Sequence, residues 1–190
     1  LNPVSDLKNN LLGFVNFLDA IVKTTNVKKI LFISSAGTIY GNSDKSLNEE
    51  SMKNPFSPYG ISKLSMEYYL QYFSVKHNLK YTILRVSNVF GPGQNTKKGL
   101  GVINTFLESI ISSNKIIVFG HGKNIRNYLF IEDLVKIMVY FIENNKFENI
   151  IYNASSDYHY SINELILIIK STLKIDFDVI SNQERESDVN

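Results

Sequence analysis

Two short runs limit what this chain can fold into more than any other feature. Lys29-Ile30-Leu31-Phe32-Ile33-Ser34 and Tyr81-Thr82-Ile83-Leu84-Arg85-Val86 have the length of strands, and neither alternates polar with apolar residues. A strand with one wet face alternates and a strand covered on both faces does not, so both runs predict buried strands of a parallel sheet. Helical periodicity surrounds them. Leu7, Leu11, Phe14, Leu18 and Ile21 recur at helical spacing, with Asp6 in the first turn. A loop rich in Ser, Asn, Gly and Glu then runs to about Pro58, where a second helix begins with Ile61, Leu64, Tyr68 and Tyr72 on one face.

The pattern continues to the end of the chain. Gly91-Pro92-Gly93-Gln94 is a turn. Ile103, Phe106, Leu107 and Ile110 mark a third helix, and Ile116 to Phe119 a strand closed by Gly120-His121-Gly122. Tyr128 to Ile131 reads as a strand running into a helix at Glu132-Asp133, and Ile150 to Asn153 as another strand. Ser161, with Glu164 three residues later, has the form of a capping box. It opens a helix carrying Ile162, Leu165, Ile169 and Leu173, and Phe177 to Ile180 is a last strand. Alternation of helices and strands predicts the α/β class with a mostly parallel sheet.

Composition narrows the function classes. The 190 residues suit one domain, or one domain plus part of another. A 44% hydrophobic share allows a sizeable core, and scattered basic residues with a net charge of +2 do not form a nucleic-acid face. There are no cysteines, and His77, His121 and His159 show no ligand spacing, so no metal site is expected. No apolar run reaches membrane length and no signal peptide opens the chain, so no membrane partner and a cytoplasmic location are expected. Leu1 leads directly into a helical pattern, which reads as a fragment.

Chemistry concentrates in two places. Tyr59 and Lys63, in Tyr59-Gly60-Ile61-Ser62-Lys63, are four apart and share a helix face. A phenol ionises near pH 10, too high for a base at neutral pH, and an adjacent cation favours the phenolate. Alone, the pair is commonly a half-buried tyrosine beside a solvated lysine. Ser34-Ser35-Ala36-Gly37-Thr38, however, lies at the carboxyl end of the first buried run, where open α/β sheets bind ligands. Strand, hydroxyl loop and Tyr-Lys helix follow in the order a hydroxyl-oxidising site needs.

Leu31 to Gly41 (LFISSAGTIYG), Pro58 to Lys63 (PYGISK), Leu84 to Gln94 (LRVSNVFGPGQ) and Arg126 to Leu134 (RNYLFIEDL) together resemble the NAD-dependent epimerase/dehydratase family of extended short-chain dehydrogenases. The resemblance covers nearly the whole chain. It implies a partial Rossmann-type parallel sheet with a small C-terminal α/β substrate-binding region. Residues 1–95 would be the C-terminal part of an NAD-binding domain. Residues 96–190 would mainly bind a nucleotide sugar, with some segments returning to the sheet.

The resemblance also implies roles. Tyr59 is the expected general base on the sugar 4-hydroxyl, and Lys63 holds the nicotinamide ribose and lowers the phenol pKa. Ser35 or Thr38 is the hydroxyl partner; the family places that hydroxyl at the position of Ala36, so the choice stays open. Asn10, Ser34 and Val86 join Tyr59 and Lys63 around the NAD. Asn88, Arg126 and Arg185 would hold the substrate diphosphate, suiting guanidinium forks, although an isolated arginine is commonly just a surface residue. Ile117 and Phe119 would pack the nucleotide base, and Asp188 would meet its ribose. A homodimer is expected through helices at 5–24 and 58–78, whose apolar faces could equally be core.

Two departures stand out. Asn127 follows Arg126 where the family has aspartate, and nothing matches Gly-x-x-Gly-x-x-Gly after a first strand. That loop brings a pyrophosphate to a helix N-terminus; its βα units would add on the order of 80–90 residues. The family's dehydratases carry an Asp-Glu pair where this chain has Ala36-Gly37-Thr38, and its decarboxylases tend to keep a glutamate there. A 4-epimerase acting on UDP-glucose/galactose or the N-acetyl forms is therefore expected. The alternatives are a 4-keto reductase or dehydratase of the same family, or, in another class, an inactive remnant or binding module. A sheet lacking its first strands would also expose an apolar edge prone to aggregation.

Overall fold

The computed structural model describes residues 2–43, 46–96 and 101–183, and the chain divides into two compact units. One comprises residues 1–87 and 135–154, the other residues 88–134 and 155–190.

The first unit is built on a parallel three-stranded sheet. Its strands are β1 (Lys29–Ser35), β2 (Lys80–Val86) and β6 (Ile150–Ala154), in the order β1-β2-β6. Tyr81 to Arg85 are buried without a break, as expected of a strand covered on both faces. β1, at the sheet's edge among the described residues, is only partly covered: Phe32 and Ser34 are buried and their neighbours half-buried. Register aligns Ser35, Val86 and Ala154 at the carboxyl ends of the strands.

The helices of this unit refine the sequence pattern. The first begins as α1 (Pro3–Asp6), with Asn2 accepting from the Val4 and Ser5 amides, and ends as α2 (Gly13–Thr24). Between them, Leu7–Leu12 is π-helical rather than α-helical. Its i→i+5 bonding inserts an extra residue into the turn and rotates the face, so Leu7 is exposed while Leu18 is fully buried. α3 (Ala36–Ile39) is a helical turn within the segment expected to be loop. α4 (Pro58–His77) starts with Pro58 in its first turn and Ser57 as N-cap, accepting from the Gly60 amide at 3.1 Å. It ends at Asn78 in the left-handed region.

Of the apolar stripe expected on α4, Leu64 is partly buried and the other three residues face outward. Ile61, Tyr68 and Tyr72 are about half exposed, and the core face is Met66, Leu70 and Phe73. These pack with Leu18, Phe32 and Ile83 as the unit's core.

The second unit contains a mixed sheet ordered β3-β5-β7, from β3 (Asn88–Phe90), β5 (Ile125–Phe130) and β7 (His159–Ser161). β5 runs parallel to β3 and antiparallel to β7. Neither β3 nor β7 was apparent in the sequence, and β5 begins three residues before the expected strand at Tyr128. β4 (Lys115–Phe119) pairs in parallel with β8 (Asp178–Asn182). α5 (Val102–Ser113) and α7 (Ile162–Leu173) supply Phe106, Ile110, Leu165 and Ile169 to a core shared with Ile116 and Val118. The Ser161–Glu164 capping box is formed in both directions. α6 (Ile131–Glu143) follows β5 directly. Among the described residues, no helix is long and apolar enough to cross a membrane.

Candidate active site

The first unit brings together Asn10, Ser34, Ser35, Thr38, Tyr59, Lys63 and Val86. Tyr59 and Lys63 lie one turn apart on α4, and the Lys63 ammonium is 5.7 Å from the Tyr59 ring centroid and 5.0 Å from that of Phe32. Lys63 Nζ donates to the Ile33 carbonyl of β1 at 3.0 Å, which fixes one of its three protons. Gly60 explains how the hydroxyl turn reaches the helix. A Cβ on Gly60 would lie 2.5 Å from the Thr38 carbonyl oxygen, so glycine lets α3 close against the first turn of α4. Thr38 Oγ1 is buried without a hydrogen-bond partner. Such an atom costs stability unless something satisfies it, and a bound hydroxyl would.

The protonation of the pair corrects the expectation that Lys63 lowers the phenol pKa. Burial pushes Tyr59 above the ordinary phenol value, and the Asp6 carboxylate adds to the rise. Burial pushes the Lys63 amine down, against an upward pull from Glu67. Both shifts run against charge on the pair, making the phenolate and the ammonium harder to form than in water. Asp6 is buried, and its Oδ2 accepts from Asn10 Nδ2 at 2.9 Å. That bond joins the last residue of α1 to the π-helical stretch, a geometry common at functional sites.

Behind the pair lies a buried polar network that the sequence analysis missed. Arg85 and Glu67 are almost fully buried and form an ion pair, Nη2 to Oε2 at 2.7 Å and Nε to Oε1 at 3.0 Å. Ser34 Oγ donates to Glu67 Oε1 at 2.5 Å, so this hydroxyl is turned into the core. Arg85 Nη1 donates to Tyr40 Oη at 2.9 Å, and Tyr40 donates to Asn153 Oδ1 at 2.7 Å. The Asn153 amide donates to Glu49 at 2.6 Å. Burial alone would depress the Arg85 pKa, but its bonds to Glu67 and Tyr40 carry it upward. The available signal was a charged residue inside an otherwise apolar strand, with an acid one turn beyond Lys63. Glu67 thereby ties the Lys63 face of α4 to β1, β2 and β6.

The second unit holds Asn88, Ile117, Phe119 and Arg126. Asn88 is exposed, and its Nδ2 donates to the Asn127 carbonyl at 3.0 Å. Arg126 is partly exposed, and its Nη1 donates to the Ile125 carbonyl at 2.8 Å. Ile117 is exposed and paired in register with the exposed Ile180. Arg185 and Asp188 lie outside the described residues. Among the described residues, no group of three His, Asp or Glu side chains could hold a metal ion.

The Tyr-Lys pair on α4 thus stands beside a hydroxyl turn at the carboxyl end of a parallel strand, where open α/β sheets bind ligands. Comparison with known proteins makes the class specific. Residues 1–155 match the NAD-dependent epimerase/dehydratase family. The chain is 33% identical over 189 residues to a Methanocaldococcus jannaschii protein assigned as a UDP-glucose 4-epimerase, covering 99% of this chain and 61% of that protein. It is 36% identical over 172 residues to the dTDP-4-dehydro-6-deoxyglucose reductase of Escherichia coli, covering 90% of this chain and 54% of the relative. The crystal structure of UDP-glucose 4-epimerase from Thermotoga maritima with UDP-glucose superposes with a TM-score of 0.92 at 33% identity, over 99% of this chain and 60% of that one. The chain belongs to the NAD-dependent epimerase/dehydratase family. It spans about three-fifths of the length of these epimerase relatives.

The residues present fit the nicotinamide end of NAD. Lys63 keeps N–H donors beyond the one given to Ile33, Tyr59 stands beside it, and Asn10 keeps its amide oxygen after its nitrogen is taken by Asp6.

Proposed function

We propose that this chain carries the base and the diphosphate anchors of a nucleotide-sugar 4-epimerase, acting on UDP-glucose and UDP-galactose or their N-acetyl forms. The observation that carries this reading is the buried, unpartnered Thr38 hydroxyl beside the Tyr59–Lys63 helix, in a turn that holds no carboxylate. Tyr59 takes the proton from the sugar 4-hydroxyl and later returns it. Thr38 donates to, or accepts from, the same oxygen and so orients it; Ser35, at the start of the turn, is the alternative. Lys63 binds the nicotinamide ribose through the N–H donors that Ile33 leaves to it. NAD, when bound, accepts hydride from C4 and returns it. Asn88, Arg126 and Arg185 grip the diphosphate, with Ile117 and Phe119 against the base and Asp188 at its ribose. Anchoring the nucleotide rather than the hexose leaves the 4-keto sugar able to turn over before reduction.

The shared ancestry with the Escherichia coli reductase supports a second reading, a 4-keto reductase with the same base. The two separate on cofactor economy. The protein as its gene encodes it is incubated with UDP-galactose and no added cofactor. Formation of UDP-glucose, with NAD released on denaturation, supports the epimerase. A strict requirement for NADPH and a 4-keto substrate supports the reductase. Neither activity leaves the remnant or binding-module reading. The half-exposed Ile61, Tyr68 and Tyr72 of α4 and Phe17 of α2 favour a homodimer through these helices, to be checked by sedimentation velocity.

A further inference from the structure

Asn127, the departure from the family's aspartate, makes contacts that an aspartate could not. Its Nδ2 donates to the Ser156 carbonyl at 2.6 Å and to the Tyr158 carbonyl at 3.0 Å, and lies 3.2 Å from Ser156 Oγ. Its Oδ1 accepts from the Ser156 amide at 3.0 Å. Two carbonyls on one end and an N–H on the other fix which way the carboxamide points. The segment it grips is closed on itself as well: Ser156 Oγ donates to the Tyr158 carbonyl at 3.0 Å, and the Tyr158 ring stacks on that of Tyr160.

The grip sits where β5 and β7 begin to pair. Asn127 is opposite His159 and Arg126 is opposite Tyr160. The Asn127 carbonyl, in turn, receives the Asn88 amide across the β3–β5 pair. Residue 127 therefore meets the Asn88 side chain through its backbone carbonyl and, through its carboxamide, ties the strand beside Arg126 to residues 156–158. An ionised carboxylate at 127 would place an oxygen about 3 Å from two carbonyl oxygens with no proton between them, a repulsive arrangement.

We propose that Asn127 is a positioning residue for the diphosphate of the nucleotide sugar, acting through Arg126 and Asn88 by clamping residues 155–158 onto β5. The inference rests on the functional reading above. It assigns a ground-state role, because holding the diphosphate serves substrate and transition state alike.

The test is Asn127→Asp and Asn127→Ala in the protein as its gene encodes it, with UDP affinity by calorimetry, steady-state kinetics with UDP-galactose, and hydrogen exchange at the Ser156 amide. Both variants should raise KM and the UDP dissociation constant about tenfold near pH 8 with kcat within about twofold, and should speed Ser156 exchange. For N127D, the defect should shrink as pH falls toward 5. An acid facing two carbonyls has its pKa raised, and its protonated form can donate once more. N127A should show no such recovery. A general loss of structure would lower kcat and give both variants the same pH dependence. Normal UDP affinity in N127D would overturn the inference and leave the functional reading standing. Failure of the unsubstituted protein to bind UDP would overturn both.

Discussion

The two units solve the problem of burying polar groups in opposite ways. In the first unit, Arg85, Glu67, Ser34 and Thr82 are buried within or beside the sheet, and a network of charged and hydroxyl groups crosses α4, β1, β2 and α3. In the second, the core cluster is apolar apart from Tyr128, and the polar clamp of Asn127 is partly exposed on the central strand β5. The difference fits the proposed chemistry. A proton-transfer pair needs a fixed, largely dry setting, and buried ionic networks rigidify when every member is satisfied. Under the proposed function, gripping a diphosphate needs donors that water and ligand can reach.

The comparison can be broken by mutation. The largest loss is expected for Glu67→Ala, which leaves the Arg85 guanidinium buried and unpaired. Urea denaturation should show a loss of about 3–5 kcal/mol. In the second unit, Ile116→Ala removes a fully buried side chain from the apolar core and should cost about 3 kcal/mol, with little dependence on pH between 5 and 8. An equal or smaller effect at Glu67 would mean that the network is not what holds the first unit. The smallest effect is expected for Ser161→Ala, about 1 kcal/mol from loss of the α7 cap. Its partner gives a pH signature. The Ser161 backbone and hydroxyl hold the Glu164 carboxyl below its ordinary value. A depressed acid stabilises the fold above its unfolded pKa, about 4.3, and that contribution is lost as pH falls through the folded value. Thermal melts from pH 6 to 3 should fall more steeply in the parent than in S161A.

Much of this was legible in the sequence. The unbroken apolar run gave β2 as a buried strand, the Ser-x-x-Glu spacing gave the α7 cap, and the Tyr59–Lys63 spacing gave the pair. What stayed hidden depends on side chains finding partners far along the chain. The π-helical stretch at Leu7–Leu12 keeps an α-like spacing of leucines, so its shifted face leaves no mark in the pattern. Ile61, Tyr68 and Tyr72 repeat at helical spacing as a core stripe would, yet the core selected Met66, Leu70 and Phe73 instead. β3 and β7 are three residues each, too short for periodicity to register. Glu67 and Arg85 read as ordinary charges until the fold brings them together. The cation expected to lower the Tyr59 pKa is itself partly buried, and desolvation dominates both groups.

The central claim is that Tyr59 is the base that takes the proton from the sugar. The direct measurement is UDP-galactose to UDP-glucose turnover for Tyr59→Phe beside the parent protein, with circular dichroism and melting temperature to confirm that the fold is kept. Turnover should fall by about 10²–10⁴ with an unchanged fold. Turnover within a few-fold of the parent would contradict it.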